Sequence, residues 1–346
     1  MSATLDDIAK RVGVSKTTVY RALNGKSRIN EETRARILQA SKELNYVRNT
    51  LASGLRSKRS MVIGIIFSDL IAGHYYSEIF HGIEDVATKN DYGVILGCSK
   101  GDIEKEKKLL LLFTERQVDG IIVAPTYGAD INSYIKLKEN KIPFVFIDKS
   151  IDNIAADIVT TDDVFGSMEA VNHLIGLGHK KIAVLIGPEY PCSTIERRIE
   201  GYRHSMSNSG LDYDRLIGIG GSGITNQKEY GYRAMLAYLD SDEPKATAVF
   251  AINDSLAIGA IKALRARGLK VPDDVAVIGC NNDDIDQYFD IQITTISQPK
   301  YEMGKRAMEI LLERMKRENG TANVDNYQYV NMKPSLIIRQ SCGAKR

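Results

Sequence analysis

From Met61 onward, short β-branched runs alternate with longer amphipathic stretches, and this alternation constrains the fold more tightly than any other feature of the 346-residue sequence. The runs are VIGIIF (62–67), GVILGC (93–98), GIIVA (120–124), PFVFID (143–148), KIAVLIG (181–187), TAVFAI (247–252) and VAVIGC (275–280). Stretches of helical periodicity lie between them at 77–90, 103–116, 163–177, 226–239 and 254–267. Strands that are apolar on both faces, each followed by a helix, belong in parallel sheets covered on both sides. Seven or more such units exceed one comfortable open sheet and predict two doubly wound lobes. The break falls near Asp148 to Asp162, where SIDNIAAD interrupts the pattern, and a last strand is expected at about 334–339. With 43% hydrophobic residues the chain can bury a sizeable core, and its length suits two or three folded units. No window approaches the roughly 18 to 20 apolar residues of a membrane helix. The N-terminus lacks the apolar core of a signal peptide, so a cytoplasmic protein is expected. Cys98, Cys192, Cys280 and Cys342 lie far apart and read as reduced thiols; neither they nor the five histidines show metal spacing.

A net charge of +2 conceals an asymmetry. Residues 1–60 hold 13 basic against 5 acidic groups, a balance of +8, and the remaining 286 hold 33 against 39, a balance of −6. A small basic head on a mildly acidic body is the footprint of a nucleic-acid reader. In the head, Thr4 and Asp7 form a short version of a capping box before a helix at 5–11 that Gly13 breaks. Ser15 caps a second helix running to about Asn24 and ended by Gly25, and Asn30 caps a third, EETRARILQASKELN. That is a helix-turn-helix layout. At 100° per residue, Lys16, Thr17, Tyr20, Arg21 and Asn24 share one face of the second helix, and Thr18, Val19, Ala22 and Leu23 the other. The first face offers the donors and acceptors suited to base edges.

Here the sequence resembles the lactose-repressor (LacI/GalR) family. TLDDIAKRVGVSKTTVYRALNGKSRINEETRARILQASKELNYVRN resembles that family's head almost position for position, and LASGLRSKRS its hinge helix, with Ala52 and Leu55 on the small residue and the minor-groove wedge. The resemblance implies a dimer whose paired hinges push their leucines into a pseudo-palindromic operator, kinking it. The DNA-facing set implied is Thr4, Ser15, Lys16, Thr17, Tyr20, Arg21, Asn24, Arg28, Asn49, Ala52, Leu55 and Arg56, with Arg28 and Arg56 on phosphates. Tyr20 stands where the family usually has Ser, and Ser53-Gly54 weakens the hinge helix. In the body, GHKKIAVLIGP (178–188), Arg198-x-x-Gly201-Tyr202, AINDSLAIGA (251–260), GLKVPDDVAVIGC (268–280) and TTISQPKYEMG (294–304) resemble the family's landmarks. They imply a fold shared with periplasmic sugar-binding proteins, two lobes joined by three crossings around a ligand cleft. The expected organisation is a small all-α head (1–49), a hinge and linker (50–60) and an α/β body (61–346). Lobe one would take about 61–160 and 291–322, and lobe two about 161–290 and 323–346.

In open α/β sheets ligands sit beyond the C-terminal ends of the strands. Those ends carry Ser68 to Tyr76, Asp148, Lys149, Ser193, Thr194, Arg198, Asn253, Asp254, Asn281 and Asn282. The effector-binding set read from them is Tyr75, Tyr76, Asp148, Ser193, Thr194, Arg198, Asn253 and Asn281, with Asp254 assigned to helix capping. By resemblance, Tyr75, Tyr76, Asp148, Arg198, Asn253 and Asn281 fall on family ligand positions, Asn281 replacing the usual Asp. An amide there donates and accepts without charge, which suits a polyol or anionic ligand better than a cation. Gly218-Ile219-Gly220-Gly221-Ser222-Gly223 matches a dinucleotide fingerprint in form, but its helix starts too late and no acid ends the next strand. It reads as a loop lining the cleft. The chain is therefore expected to be no enzyme and to use no cofactor. It reads as a repressor of carbohydrate-related genes responding to a sugar or sugar derivative, ahead of control by a protein co-regulator. The C-terminal QSCGAKR has no heptad repeat, so a dimer is expected rather than a tetramer.

Overall fold

The computed structural model describes residues 3–23, 29–46, 59–68, 75–188, 192–220, 224, 226–288, 290–317 and 326–344. The chain divides into two units, Met1–Ser60 and Met61–Arg346. Of the expected hinge and linker at 50–60, residues 50–58 lie outside the described residues.

The first unit packs helices α1 (Leu5–Val12), α2 (Lys16–Leu23) and α3 (Glu31–Glu43) around Ile8, Val19 and Ile37, which are fully buried. Each such side chain contributes roughly 1.5–3 kcal/mol of burial. Thr4 and Asp7 form the reciprocal capping box: Thr4 N–H donates to Asp7 Oδ2 at 2.8 Å and Asp7 N–H to Thr4 Oγ1 at 3.3 Å. Gly13 ends α1 at φ 74°, a left-handed conformation that glycine adopts without steric penalty.

The second unit contains two six-stranded sheets. The first sheet is built from β1 (Val62–Phe67), β2 (Gly93–Cys98), β3 (Gly120–Val123), β4 (Phe144–Ile147), β5 (Asp157–Thr161) and β11 (Tyr329–Met332). Its order is β11-β5-β4-β3-β1-β2, and every pairing is parallel. Helices α4 (Tyr75–Lys89), α5 (Ile103–Glu115), α6 (Ile131–Glu139) and α11 (Lys300–Arg317) belong to this lobe. The second sheet joins β6 (Ile182–Leu185), β7 (Leu216–Ile217), β8 (Ala248–Ala251), β9 (Ala276–Cys280), β10 (Thr294–Ser297) and β12 (Ser335–Ile337). Its order is β12-β10-β9-β8-β6-β7, with only β12 antiparallel. Helices α7 (Asp163–Gly176), α8 (Ser193–Asn208), α9 (Gln227–Asp240) and α10 (Asp254–Ala266) cover it. Strands such as β3, β4, β6 and β8 are buried along their whole length, which explains their unbroken apolar sequence.

Two lobe boundaries need correction. The chain does not return to the first lobe at about 291, because β10 pairs with β9 in the second sheet. It does not leave that lobe near 323 either, since β11 pairs with β5. The late crossings fall at Gln298–Pro299 and Lys333–Pro334, where prolines cannot donate to a ladder. At the opposite end of β5 from the crossings, Asp157 ties α11 to the first sheet: Arg314 on α11 holds both its carboxylate oxygens at 2.8 Å in a buried fork. Helices α4 and α11 meet closely at Gly82 and Gly304, where a Cβ would overlap the carbonyl oxygens of Tyr301 and Ile79.

Candidate functional site

Two surfaces concentrate the chemistry, one on each unit. In the head, Val19 and Ala22 pin α2 into the three-helix core, which leaves Lys16, Thr17 and Arg21 exposed and Tyr20 half-buried on the opposite face. Ser15 starts this helix, its Oγ accepting from Thr18 N–H at 3.1 Å. Lys16 Nζ rests 2.6 Å from Asp6 Oδ2 in an exposed pair, the kind worth about 0–1 kcal/mol and readily exchanged for another anion. The result is a rigid helix presenting a row of polar side chains, fit to enter a groove. Asn24, Arg28, Asn49, Ala52, Leu55 and Arg56 lie outside the described residues.

In the second unit the C-terminal strand ends of both sheets face one cleft enclosing about 640 Å³ of space open to solvent. The first lobe contributes Ser68, Tyr75, Tyr76, Asp148 and Lys149, and the second Gly187, Thr194, Ile195, Arg198, Gln227, Ile252, Asn253 and Asn281. Asp148 ends β4 at φ 66° and Asn281 ends β9 at φ 124°, so both turn out of their strands through left-handed backbone that Asp and Asn tolerate better than most residues. Two phenols hold Asp148: Tyr75 Oη lies 2.8 Å from Oδ1 and Tyr76 Oη 2.9 Å from Oδ2. Tyr76 stacks on Phe67 at 4.7 Å, which fixes its ring. Burial first, and then the Asp148 charge, push the Tyr75 phenol well above its ordinary pKa, so it stays a donor.

Across the cleft, Arg198 on α8 is buried and donates from Nε to Asp163 Oδ1 at 2.8 Å and from Nη1 to the Ile252 carbonyl at 2.5 Å. Burial raises the Asp163 carboxyl, the adjacent Arg198 guanidinium opposes that rise, and the Asp148 charge adds to it. Asn253 caps α10 by accepting from Leu256 N–H at 2.9 Å, while its amide donates to Gln227. The capping role assigned to Asp254 therefore belongs to Asn253. Asp254 is instead fully buried, accepting from Asp283 N–H at 3.0 Å and from Thr295 Oγ1 at 2.7 Å. Cys280 beneath Asn281 is pushed up to about 12 by burial and offers no thiolate.

Residues 4–49 match the bacterial regulatory proteins of the lacI family, and residues 171–342 match the periplasmic binding protein-like domain. The HTH-type transcriptional repressor PurR of Aliivibrio fischeri (strain MJ11) is 31% identical over 342 residues, covering 98% of each chain. The chain belongs to the lacI family of bacterial regulatory proteins. It is a DNA-binding transcriptional regulator and not an enzyme. The lac repressor dimer bound to operator and the anti-inducer ONPF superposes with a TM-score of 0.85 at 26% identity, covering 99% of this chain and all of that one. A lacI-family regulator from Enterococcus faecium with bound ribose gives a TM-score of 0.70 at 30% identity, covering 81% of this chain and 98% of that one.

Within this lacI-family cleft, seven of the eight residues expected from the sequence converge on its lining: Tyr75, Tyr76, Asp148, Thr194, Arg198, Asn253 and Asn281. Ser193 does not; it opens α8, half-buried and off the lining. Gly218 to Gly220, expected to line the cleft, do not reach it, and residues 221–223 lie outside the described residues. Sequence reasoning missed Gln227, whose signal was its place one residue after the helix cap Asn226. It also missed Asp163, the acid that neutralises Arg198.

Proposed function

We propose that this regulator represses transcription as a dimer, and that a neutral, polyhydroxylated small molecule in the cleft sets its affinity for a pseudo-palindromic operator. The observation that carries the ligand class is the charge pairing of the cleft. Two cations line it, Lys149 and Arg198, and Asp163 compensates the buried Arg198 within an ion pair. An anionic ligand would gain little net attraction there and would face the Asp148 carboxylate opposite. A ligand bearing adjacent hydroxyls can donate to Asp148, accept from Arg198 and pair with the amides of Asn253 and Asn281. Tyr75 and Tyr76 add aromatic surface for an apolar face of a sugar-like ring. The ribose-bound relative from Enterococcus faecium supports the same reading.

For the DNA, Ser15, Lys16, Thr17, Tyr20 and Arg21 would address bases and phosphates along the α2 face, with Thr4 at the start of α1. Asn24, Arg28, Asn49, Ala52, Leu55 and Arg56 are carried by resemblance alone. A dimer is supported by exposed apolar residues on the edge strand β2 (Ile95, Leu96) and on α5 (Leu111, Leu112). The test is a thermal-shift screen with neutral sugars, sugar acids and purines, followed by anisotropy titration of DNA selected from a random pool. A neutral sugar at 100-fold its Kd should stabilise by about 2.7 kcal/mol and shift DNA affinity. Selective stabilisation by a sugar acid or a purine would overturn the ligand class.

A further inference from the structure

Gln298 does not line the cleft, yet it joins the two walls. It sits on the crossing between β10 and α11, 4% exposed. Its Oε1 lies 3.1 Å from Tyr75 Oη in the first lobe, and its Nε2 donates to Asn281 Oδ1 in the second at 2.9 Å. A chain Tyr76–Asp148–Tyr75–Gln298–Asn281 thus spans the cleft floor. Lys300, two residues further, ties the same crossing to Glu78 of α4 at 2.5 Å and to the Asn282 carbonyl at 3.3 Å.

The chain contains one conflict. The Tyr75 hydroxyl has a single proton and faces two acceptors, Asp148 Oδ1 at 2.8 Å and Gln298 Oε1 at 3.1 Å. A hydrogen bond to an ionised acceptor is roughly twice as strong as one to a neutral amide, and the Asp148 contact is the shorter. With the cleft empty the proton goes to Asp148, and among the described residues Gln298 Oε1 is left without another donor. A ligand hydroxyl that donates to Asp148 Oδ1 frees the Tyr75 proton for Gln298.

We propose that Gln298 is the positioning residue through which occupancy of the cleft tightens the link between the lobes, by taking the Tyr75 proton when a ligand takes over Asp148. This rests on the reading of the cleft as an effector site, but it can be tested without any effector. Asp148→Asn removes the charged competitor and stands in for occupancy. Hydrogen exchange of the crossing segment 298–303 in the full-length protein reads the link, since local opening sets exchange.

Asp148→Asn should raise protection of that segment at least fivefold, and Gln298→Met or Tyr75→Phe should abolish the increase. A merely structural Gln298 would lower protection equally with Asp or Asn at position 148; that result, or no gain from Asp148→Asn, overturns the proposal. If Gln298→Met does not fold, Tyr75→Phe, which deletes one oxygen, makes the same comparison. D-ribose serves as the effector probe. If it binds the native protein, its protection of segment 298–303 should vanish in Gln298→Met while binding persists. If D-ribose does not bind, the Asp148→Asn comparison still decides the role of Gln298, and only the ligand class is called into question.

Discussion

Arg198 and Asp286 show how differently two buried charges behave in the second lobe. Arg198 has a carboxylate partner, so removing it strands Asp163 in a dry site. Breaking one side of a buried pair typically costs about 3–5 kcal/mol. Arg198→Ala should therefore lower stability as well as abolish the ligand response, and Arg198→Ala with Asp163→Asn should recover much of the loss in urea unfolding. A double variant no more stable than the single would show that Asp163 is not the group left exposed to the cost. Asp286 is fully buried in the turn after Asn281 and Asn282 and, among the described residues, has no cation hydrogen-bonded to it. Burial first, and then the neighbouring Asp254 carboxylate, push its pKa from 3.8 up to about 10; Asp283 adds to the rise and Arg339 opposes it. Because the folded value lies above the unfolded one, folding favours the protonated acid. Its contribution is intact below about pH 4 and is lost as pH climbs toward 10. Asp286→Asn should be more stable than the native protein by a margin that widens across that window. A margin independent of pH in urea titrations at pH 5, 7 and 9 would remove Asp286 as the titrating group.

Helices in both units depend on single contacts at their ends or crossings. Ser15→Ala deletes the hydroxyl that accepts from Thr18 N–H and should cost about 0.5–2 kcal/mol of head stability, seen as a lower melting temperature of the head by circular dichroism. Gly304→Ala drives a methyl into the Ile79 carbonyl on the facing helix and should cost about 1–3 kcal/mol or more. Native-like melting of that variant would mean that α4 and α11 can separate cheaply. Legibility at this scale followed the strength of the pattern. β1 and β2 have the bounds that their apolar runs announce, although only β1 is buried along nearly its whole length and β2 is an edge strand whose Ile95 and Leu96 stay exposed. β5 (DIVTT) lay hidden inside the expected lobe break, since its aspartate and threonines look like loop until Arg314 and the neighbouring strands bury them. In α8 the buried stripe Ile195, Ile199, Tyr202 and Met206 has helical spacing but is diluted by charged residues. The late crossings were misplaced although Pro299 and Pro334 mark them. The cleft was easier to read than the crossings because strand ends are local in sequence, whereas lobe membership depends on which distant strand supplies the hydrogen bonds. Gln227 and Asp163 escaped for the same reason, since each matters only through a partner far along the chain.

For the whole molecule, the assembly on DNA can be separated from the cleft by one substitution. Leu96 on β2 is 41% exposed and Ile95 40%, on the outer edge of the first sheet, where among the described residues no strand follows β2 in the hydrogen-bonded order. Neither lines the cleft. An aspartate at position 96 can therefore be solvated in the monomer at small cost, but would be buried unpaired if this edge meets a second copy. Leu96→Asp should shift the mass measured by light scattering at micromolar concentration from dimer to monomer. Two heads held together gain avidity that a single head lacks, commonly a factor of 10²–10⁴. The monomeric variant should lose about that much affinity for a two-half-site DNA while binding a single half-site as the native protein does. Ligand affinity of the free variant should stay within a factor of two, because the cleft is complete within one chain. The ligand-induced change in DNA affinity, however, should collapse. Coupling of this kind requires two global states that both ligands favour unequally, and a lone head has no second half-site whose spacing the lobes can set. A variant that stays dimeric would move the interface off the β2 edge. A monomer that still responds fully to ligand would place the coupling within a single chain.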